Sequence, residues 1–302
     1  MGITVNVAIF ASIALLVAIY FIYSRVRHVE RSYGTVVITG ASSGLGHSFA
    51  LQYARRAQYL VLIARSRQRL ADVATECRAL SPSLTVDIIS ADLSSIPSDT
   101  AGDVDHQGAE ATANAIKALG ISSIDCLVLN AGISSHCPAA VTPLSHLERV
   151  MDVNFTASVV LTQRLMPLLS TATRPRIAVV SSIQGFAPTP TRAVYSASKH
   201  ALHGFFGALA TENAWLNVTV VCPGWLDTNL RASSLSRPGA KVSANSKHAL
   251  SPDVAAAVAV QAIADGKRMI IIPRRFWLVY WAQVLVPGLL ARIMRRSYCK
   301  KP

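Results

Sequence analysis

A tyrosine, a lysine and a serine have the types and the spacing of an acid–base site. Tyr195 and Lys199 lie four residues apart in the segment Tyr-Ser-Ala-Ser-Lys, and residues at that interval share one face of a helix. A nearby ammonium group stabilises a phenolate and lowers a tyrosine pKa from its ordinary value of about 10. Such a phenol can give a proton to a carbonyl oxygen or take one in the reverse direction. Ser182 ends an apolar run thirteen residues earlier, and its hydroxyl can hold the substrate oxygen beside the phenol.

A glycine-rich turn near the start of the chain has the composition of a phosphate-binding loop. Residues 39–46 read Thr-Gly-Ala-Ser-Ser-Gly-Leu-Gly, between an apolar β-branched run and a helix-permitting stretch. Glycines allow a tight turn and a close approach of the backbone to a phosphate. The following helix would present free N–H groups and its positive dipole end to the anion. Because the flanking strand and helix supply the required context, the turn predicts a pyrophosphate site.

Short β-branched runs alternate with longer helix-permitting stretches through the body of the chain. Most of these runs are almost continuously apolar, as strands covered on both faces are. This alternation predicts an α/β fold, a doubly wound Rossmann-type seven-stranded parallel sheet with helices on both faces. The predicted strands are 35–39, 59–64, 84–90, 126–130, 177–181, 218–222 and 269–272, and helical stretches include 45–56, 144–169 and 195–216.

The net charge of +13 is concentrated at the two ends of the chain, which are also its most apolar parts. Residues 267–302 carry nine basic residues and no acid, whereas residues 32–266 have a net charge of only +2. This distribution favours an anionic bilayer surface as partner and argues against nucleic acid. The five cysteines are widely spaced without a Cys-x-x-Cys pair, so we expect neither a disulfide framework nor a metal site.

The N-terminal segment predicts a single-pass membrane helix. Residues 3–23 carry no charge, and 21 residues at 1.5 Å each can cross a hydrocarbon core about 30 Å thick. The segment has no basic start and ends in Tyr-Phe-Ile-Tyr, which favours an uncleaved anchor over the alternatives, a signal peptide or a buried core helix. The positive charge that follows favours a cytosolic catalytic domain.

The C-terminal segment is apolar and basic as well. Residues 276–293 include two tryptophans and are interrupted by Pro287-Gly288, which predicts an interfacial or hairpin-like element; a helix that caps the core or forms a dimer face is the alternative. The predicted organisation is an anchor over 1–24, a basic linker over 25–33, a catalytic domain over 34–273 and an amphipathic, membrane-associated tail over 274–302.

The spacing of the glycines resembles that of the short-chain dehydrogenase/reductase family. Counted from Gly40, they occupy the first, fifth and seventh places, not the first, third and sixth of the common dinucleotide fingerprint. The resemblance implies a catalytic tetrad of Asn154, Ser182, Tyr195 and Lys199, in which Asn154 supports a water-linked proton relay and Ser182 and Tyr195 hold the substrate. His200 and His203 follow on the same predicted helix, and we interpret them as packing residues.

The same resemblance implies an NADP(H) site. The cofactor-binding residues that it implies are Gly40, Ser42, Ser43, Gly44, Leu45 and Gly46 in the turn, Asp92, Leu93, Asn130, Ala131 and Gly132 after later strands, and Tyr195, Lys199, Pro223, Gly224 and Thr228 around the nicotinamide. Arg65 stands where an NAD site has an acid for the ribose 2′-hydroxyl, and its guanidinium matches a 2′-phosphate; a solvated surface arginine is the alternative. Leu129 departs from the family pattern, which has asparagine there, and Asp92 has helix capping as an alternative role.

Other segments resemble the membrane-anchored member 7 branch of the family, especially its B form. They include residues 181–185 (Ser-Ser-Ile-Gln-Gly) and 286–289 (Val-Pro-Gly-Leu). The branch implies reduction of lipophilic ketones, such as alkyl- or acyl-dihydroxyacetone phosphates, at endoplasmic reticulum or peroxisomal membranes, and the family implies homodimers. A steroid or retinol dehydrogenase and a membrane-anchored NADPH-binding scaffold are the alternatives.

The stretch 225–251 predicts a mobile loop near the site. It carries Arg231, Arg237, Lys241 and Lys247 against Asp227, so it would suit a phosphorylated lipid ketone if it covers the site. Ordinary solvated charges on a loop are the alternative.

Overall fold

The computed structural model describes residues 32–96, 104–228, 230, 234–236 and 249–298. The strands among them are β1 (Tyr33–Thr39), β2 (Ala57–Ala64), β3 (Thr85–Asp92), β4 (His106–Gln107), β5 (Cys126–Leu129), β6 (Ser135–His136), β7 (Arg176–Val180), β8 (Asn217–Pro223), β9 (Leu235–Ser236) and β10 (Met269–Ile272). The α-helices are α1 (Gly44–Ala54), α2 (Arg67–Leu80), α3 (Ala109–Ala118), α4 (Leu144–Met151), α5 (Ala157–Ser170), α6 (Ala193–Glu212), α7 (Pro252–Ala264), α8 (Trp277–Leu285) and α9 (Pro287–Tyr298).

The main sheet is parallel throughout and confirms the Rossmann-type α/β architecture. Its strand order is β10-β8-β7-β5-β1-β2-β3-β4, and β6 pairs with β9 in a separate two-stranded ribbon. The prediction of seven strands is wrong, because β4 adds an eighth strand at the edge beside β3. A strand of two residues has no hydropathy pattern of its own, so the sequence gives no signal for it.

Helices cover both faces of the sheet, which explains the apolar strands. Apolar residues of α3, α5 and α6 pack on one face, and those of α1, α2 and α7 pack on the other. Neighbouring residues of β1 alternate between the two layers: Val37 belongs to the first, whereas Val36 and Ile38 belong to the second. Because both faces are buried, most successive strand residues are apolar.

The order of the strands reverses at β1. Chain connections lead from β1 to β2 on one side, and β5 lies on the other side. In open parallel sheets, ligands bind outside the carboxyl ends of the strands at such a point. The glycine turn follows β1 directly, and Asn130 follows β5, so both predicted cofactor segments lie at this crevice.

The predicted helix over 144–169 is divided into three parts. A π-helical turn, Asp152–Thr156, separates α4 from α5. Its residues include Asn154, one of the predicted catalytic residues. Single π-helical turns within α-helices occur frequently at functional sites, because the extra residue changes the direction of side chains. Apolar periodicity continues through the interruption, which is why the sequence predicts one helix.

The C-terminal segment folds as a broken pair of helices. A 3-10 turn, Arg274–Phe276, leads into α8, and α9 begins at Pro287 with a bend of 119° between the two helical stretches. Within the described part of the chain, no single helix is both long and apolar enough to cross a bilayer; the bent pair passes that test by length and composition only. The predicted N-terminal membrane helix lies outside the described residues.

Candidate active site

A cavity of about 780 Å³ opens at the carboxyl edge of the sheet. It extends from the glycine turn to the end of β8, and therefore joins the predicted phosphate site to the predicted catalytic residues. The predicted site residues that line it are Gly40, Ser42, Ser43, Gly44, Leu45, Arg65, Asp92, Leu93, Asn130, Ala131, Gly132, Ser182, Tyr195, Lys199, Pro223, Gly224 and Thr228. Gly46 and Asn154 are absent from the lining and support it from behind.

The glycine turn has a backbone that other residues would disturb. Gly40 and Gly44 have φ angles of +66° and +53°, in the left-handed region that side chains disfavour. A Cβ atom on Gly46 would lie 2.1 Å from the carbonyl oxygen of Gly40, so α1 packs against the turn itself. The Asn130 amide donates to the Thr39 carbonyl oxygen at 3.0 Å, which fixes the turn to the end of β5. The result is a cradle that a phosphate can approach closely.

Basic side chains surround the far end of this cradle. Arg65, Arg67 and Arg69 all line the cavity just after β2. Arg67 pairs with Asp105, and the Arg65 backbone carbonyl accepts a hydrogen bond of 3.0 Å from Ser90. The backbone at Arg65 is thus fixed while its side chain is exposed, as a residue that meets a 2′-phosphate must be. Of these three arginines, only Arg65 is predicted from the sequence to bind the 2′-phosphate.

Asp92 is engaged with the protein itself. Its carboxylate is buried, accepts from the Ser94 backbone N–H at 3.1 Å and forms an ion pair with Arg149 at 2.9 Å. Asp92 does line the cavity, so the contact to the cofactor that the family resemblance implies remains a prediction. The capping alternative fails at this position, since Asp92 is the last residue of β3 and precedes no helix in the described chain directly. The partner Arg149 lies 57 residues away, and no local pattern points to it.

Helix α6 places the predicted acid–base pair on one face. Lys199 Nζ lies 5.7 Å from the centroid of the Tyr195 ring and donates to the Val180 carbonyl oxygen at 2.8 Å. Burial lowers the pKa of the Lys199 ammonium from 10.5 to about 8, and the nearby Cys222 partly offsets this effect. The amine is therefore still mainly protonated at neutral pH. A cation beside the phenol is the electrostatic arrangement that the spacing predicts.

Ser182 occupies the first turn after β7. Its Oγ accepts from the Gln184 backbone N–H at 3.2 Å and lies 3.5 Å from the Pro223 carbonyl oxygen, its nearest acceptor. A contact at 3.5 Å is at the limit of a hydrogen bond, so the hydroxyl can exchange it for a substrate oxygen at little cost.

Asn154 lies in a second layer behind Gly132. Its side-chain oxygen accepts from the Ile133 backbone N–H at 2.8 Å, and its amide donates to the Ile133 carbonyl oxygen and to Ser198, each at 3.0 Å. A Cβ atom on Gly132 would lie 3.1 Å from Asn154 Oδ1 and 3.5 Å from Lys199 Nζ. Asn154 therefore holds the loop after β5 against α6, and its part in a proton relay remains a prediction.

His203 packs within the domain, as interpreted from the sequence, but its hydrogen bond behind the site is not predicted by any local pattern. Its Nε2 lies 2.9 Å from Ser181 Oγ, and Ser181 in turn donates to the Lys199 carbonyl oxygen at 3.1 Å. Since the hydroxyl hydrogen of Ser181 is used there, the hydrogen-bond pattern assigns a hydrogen to Nε2. Burial, assisted by the charges of His200 and Lys199, lowers the pKa of His203 to about 4. A neutral imidazole thus ties α6 to the end of β7.

Arg192 also enters the cavity lining, one helical turn before Tyr195. Its Nη1 donates to Ser134 Oγ, and to the Ser135 carbonyl oxygen at 3.3 Å. Apolar side chains at the same end are Ile133, Ile183, Trp225, Leu226 and Leu230. In contrast, the four basic residues of the predicted loop 225–251, at positions 231, 237, 241 and 247, lie outside the described residues.

Comparison with known proteins now decides the family. A family model described as short chain dehydrogenase matches residues 34–238. This chain belongs to the short-chain dehydrogenase/reductase family. It is 30% identical over 301 residues to dehydrogenase/reductase SDR family member 7B of Xenopus laevis, covering 95% of this chain and 90% of that protein. The resemblance to this branch is therefore confirmed, and the protein is a dehydrogenase/reductase enzyme.

Two further matches extend the comparison. The chain is 33% identical over 278 residues to 11-beta-hydroxysteroid dehydrogenase A of Sesamum indicum, covering 88% of this chain and 76% of that one. A solved short-chain dehydrogenase from Sphingobium yanoikuyae in complex with NADPH superposes with a TM-score of 0.68 at 26% identity, covering 85% of this chain and 95% of that structure. The NADPH bound in that structure supports a nicotinamide cofactor for this chain.

Proposed function

We propose that this protein reduces a ketone of a lipophilic compound to the alcohol with NADPH as cofactor. The observation that carries the proposal is the position of the Lys199 ammonium, 5.7 Å from the Tyr195 ring, in a cavity that continues to the glycine turn. A proton donor and a dinucleotide cradle share one space there. This arrangement supports a reaction in which a hydride and a proton reach one carbonyl group from two sides.

The residues present fit the cofactor. The turn at Gly40 and Gly46 is too close-packed for side chains, which leaves backbone N–H groups for the pyrophosphate. Arg65 supports binding of the 2′-phosphate that distinguishes NADP(H) from NAD(H). Lys199 lines the cavity beside Tyr195, whereas the Thr228 methyl group lies against the glycine turn, 3.0 Å from where a Cβ atom on Gly44 would be. There they would hold the nicotinamide ribose and carboxamide. When bound, the reduced nicotinamide supplies the hydride.

The side chains of the protein supply the remaining steps. Ser182 donates a hydrogen bond to the carbonyl oxygen and orients it, while Tyr195 donates its proton to that oxygen as negative charge develops. The Lys199 ammonium stabilises the phenolate that remains, since its charge persists at neutral pH. Asn154 holds the loop after β5 in place, and in this scheme it supports a water-linked proton relay through Lys199. His203 holds the surrounding backbone and touches no reacting atom. Reversal of the same steps oxidises an alcohol.

The apolar residues at the catalytic end support a lipophilic substrate. Ile133, Ile183 and Trp225 line the cavity beside Tyr195, together with Leu226 and Leu230. Pockets for small molecules are largely apolar, with a few polar groups that fix orientation. A lipid ketone such as an alkyl- or acyl-dihydroxyacetone phosphate is one proposed substrate. The relative named as an 11-beta-hydroxysteroid dehydrogenase favours a second candidate, a steroid dehydrogenase.

A substrate panel tests these proposals. The full chain, purified in detergent, is supplied with NADPH or NADH and with long-chain dihydroxyacetone phosphates, neutral long-chain ketones and keto-steroids, and in the reverse direction with steroid alcohols and retinol. We expect faster oxidation of NADPH than of NADH with at least one lipophilic ketone. Binding of NADPH without turnover of any compound would favour the scaffold alternative.

Anchoring by residues 1–24, with the catalytic domain in the cytosol at the endoplasmic reticulum, is part of the proposal. Homodimer formation is a further expectation from the family. The glycosylation sequon at Asn217 offers a test of orientation, since this residue is exposed at the start of β8. The other sequon, at Asn154, is buried in the folded domain and is therefore not used to determine the orientation. A glycan on Asn217 after expression in mammalian cells would contradict a cytosolic domain.

A further inference from the structure

The helices α8 and α9 carry an apolar surface that no described part of the chain covers. The outer face, as we name it, consists of exposed apolar side chains of these helices and their junction: Leu278, Trp281, Val284, Leu285, Val286 and Leu289. The side chain of Leu278 is 76% exposed and that of Leu285 is 72% exposed. Contiguous apolar patches of this kind on a protein surface mark a site of interaction.

The opposite side of α8 is apolar as well and packs on the domain. Phe276 is buried, and Trp277 and Tyr280 pack against the core. A helix that is apolar on all sides is expected to be covered on all sides. The inner side of α8 has the domain as its partner, so the outer face requires a partner of its own.

The charge around the outer face identifies the chemistry of that partner. Residues 274–298 contain five arginines and no acid, at positions 274, 275, 292, 295 and 296. Apolar side chains beside arginines match a bilayer of anionic lipids, because the apolar side chains can enter the acyl region while the arginines contact the headgroups. A second copy of the chain fits less well, because a two-fold interface would bring the arginines of both copies together without acids.

The outer face also lies next to the candidate active site. The Phe276 ring contacts Gly224, where an added Cβ atom would lie 2.4 Å from it, and packs edge-to-face on Trp225 at 5.7 Å. Tyr280 packs edge-to-face on Phe186 at 5.3 Å, directly after the 3-10 turn Ile183–Gly185. Gly224, Trp225 and Ile183 line the cavity. The inner side of α8 therefore backs the cavity wall at its catalytic end, and its outer face points away from the domain.

We propose that the outer face docks on an anionic bilayer and holds the catalytic end of the cavity at the membrane surface. This contact is independent of the N-terminal anchor: the anchor tethers the domain, whereas α8 and α9 orient it. A substrate dissolved in the bilayer would then reach the cavity without passing through bulk water. Docking itself does not depend on the proposed reaction; only the kinetic test below rests on it.

Quenching of tryptophan fluorescence by brominated lipid tests docking in the full chain. The protein is reconstituted in liposomes of phosphatidylserine and either ordinary or acyl-brominated phosphatidylcholine. We expect Trp281→Phe to remove at least half of the quenching that depends on bromine. Trp215→Phe is the matched control, since Trp215 is 44% exposed at the far end of α6, and it should leave the quenching unchanged. Equal quenching in Trp281→Phe and the parent protein would overturn the proposal.

Charge reversal separates a lipid partner from a protein partner. We expect the triple variant Arg292→Glu, Arg295→Glu and Arg296→Glu to lose most of the Trp281 quenching. Reversal of three exposed charges elsewhere, by Arg55→Glu, Lys117→Glu and Arg164→Glu, changes the net charge equally and should retain it. Loss of quenching in both triple variants would show that net charge alone attracts the domain, and would refute a specific face. Cross-linking of Trp281 to a second copy, without lipid quenching, would identify a dimer face instead.

A kinetic measurement tests the consequence for catalysis. Leu278→Ser should raise the KM for a ketone embedded in liposomes about tenfold and leave the KM for a short, water-soluble ketone within twofold. An equal change for both ketones would contradict delivery from the bilayer. If neither ketone is reduced by the parent protein, the proposed reaction fails, while the quenching measurement still decides whether the face docks.

Discussion

The burial of Lys199 predicts that its replacement changes both the reductase activity and the free energy of unfolding. Replacement of Lys199 by Met removes the ammonium and retains a side chain of similar length. Burial lowers the pKa of this amine from 10.5 to about 8, which means that the folded protein bears a cost for keeping it charged. That difference corresponds to roughly 3 kcal/mol, at about 1.4 kcal/mol per pH unit. The hydrogen bond to Val180 is lost as well, which leaves a buried carbonyl oxygen without this donor at a cost of about 1–3 kcal/mol.

The free energy of unfolding should therefore depend on pH in a defined direction. Below pH 8 the amine is charged in the folded and unfolded states, so the full cost is present. Between pH 8 and about 10.5 the unfolded state binds more protons, so the stability of the parent protein rises with pH. Above this range the amine is neutral in both states and the cost disappears. Relative to the parent, Lys199→Met should therefore be more stable at pH 7 than above pH 10.5, by roughly 3 kcal/mol.

Urea unfolding without cofactor, followed by tryptophan fluorescence in detergent, measures this difference. Lys117→Met is the control, because Lys117 is exposed on α3 and its replacement should leave the stability unchanged at every pH. The same Lys199→Met protein should have lost its reductase activity. A variant that is less stable than the parent at pH 7, with a difference that does not vary with pH, would refute the reasoning.

Substitutions at three further positions test separate parts of the site. Arg65→Glu should weaken NADPH binding about 10–100-fold, as expected for a lost charge-assisted contact, and should leave NADH binding nearly unchanged. Fluorescence titration with each cofactor measures both affinities. Equal losses of affinity for NADPH and NADH would show that Arg65 does not bind the 2′-phosphate. Gly46→Ala should abolish tight NADPH binding and lower the free energy of unfolding by about 1–3 kcal/mol, because its Cβ atom would lie 2.1 Å from the Gly40 carbonyl oxygen. A variant with the affinity and stability of the parent would show that the glycine turn is not close-packed. His203→Leu should lower kcat and leave the KM for NADPH unchanged. His203→Gln should recover part of the lost kcat, because the glutamine amide can donate a hydrogen bond to Ser181. If the glutamine variant is no more active than the leucine variant, the hydrogen bond has no effect on kcat and His203 acts through packing alone.

The sequence predicts those parts of the molecule whose signal is local. The predicted strand 269–272 agrees with β10 at both ends, and the other six predicted strands of the main sheet agree within two residues at each end, because buried parallel strands are continuous apolar runs. Tyr195 and Lys199 share a face because four residues make about one helical turn. The glycines of the turn indicate by themselves a backbone with positive φ angles and no room for side chains. In each case the physical cause lies within a few residues of the pattern.

The parts that the sequence does not predict depend on contacts between distant residues. The ion pair of Asp92 with Arg149 joins β3 to α4, and the bond of His203 to Ser181 joins α6 to β7. The π-helical turn around Asn154 interrupts an apolar periodicity that itself continues. The strand β4 exists because its two residues lie beside β3, not because of their own preference. Tertiary packing decides all four features, and a single sequence carries no pattern for them.

The most direct test of the account is the reactivity of Tyr195→Phe. This change removes one hydroxyl and retains the ring beside Lys199. The account predicts that NADPH binds to the variant with an affinity within about threefold of the parent, while ketone reduction falls by at least about 100-fold, within the usual range for loss of a general acid. Ketone reduction by the variant at the parental rate would contradict the assignment of Tyr195 as the proton donor.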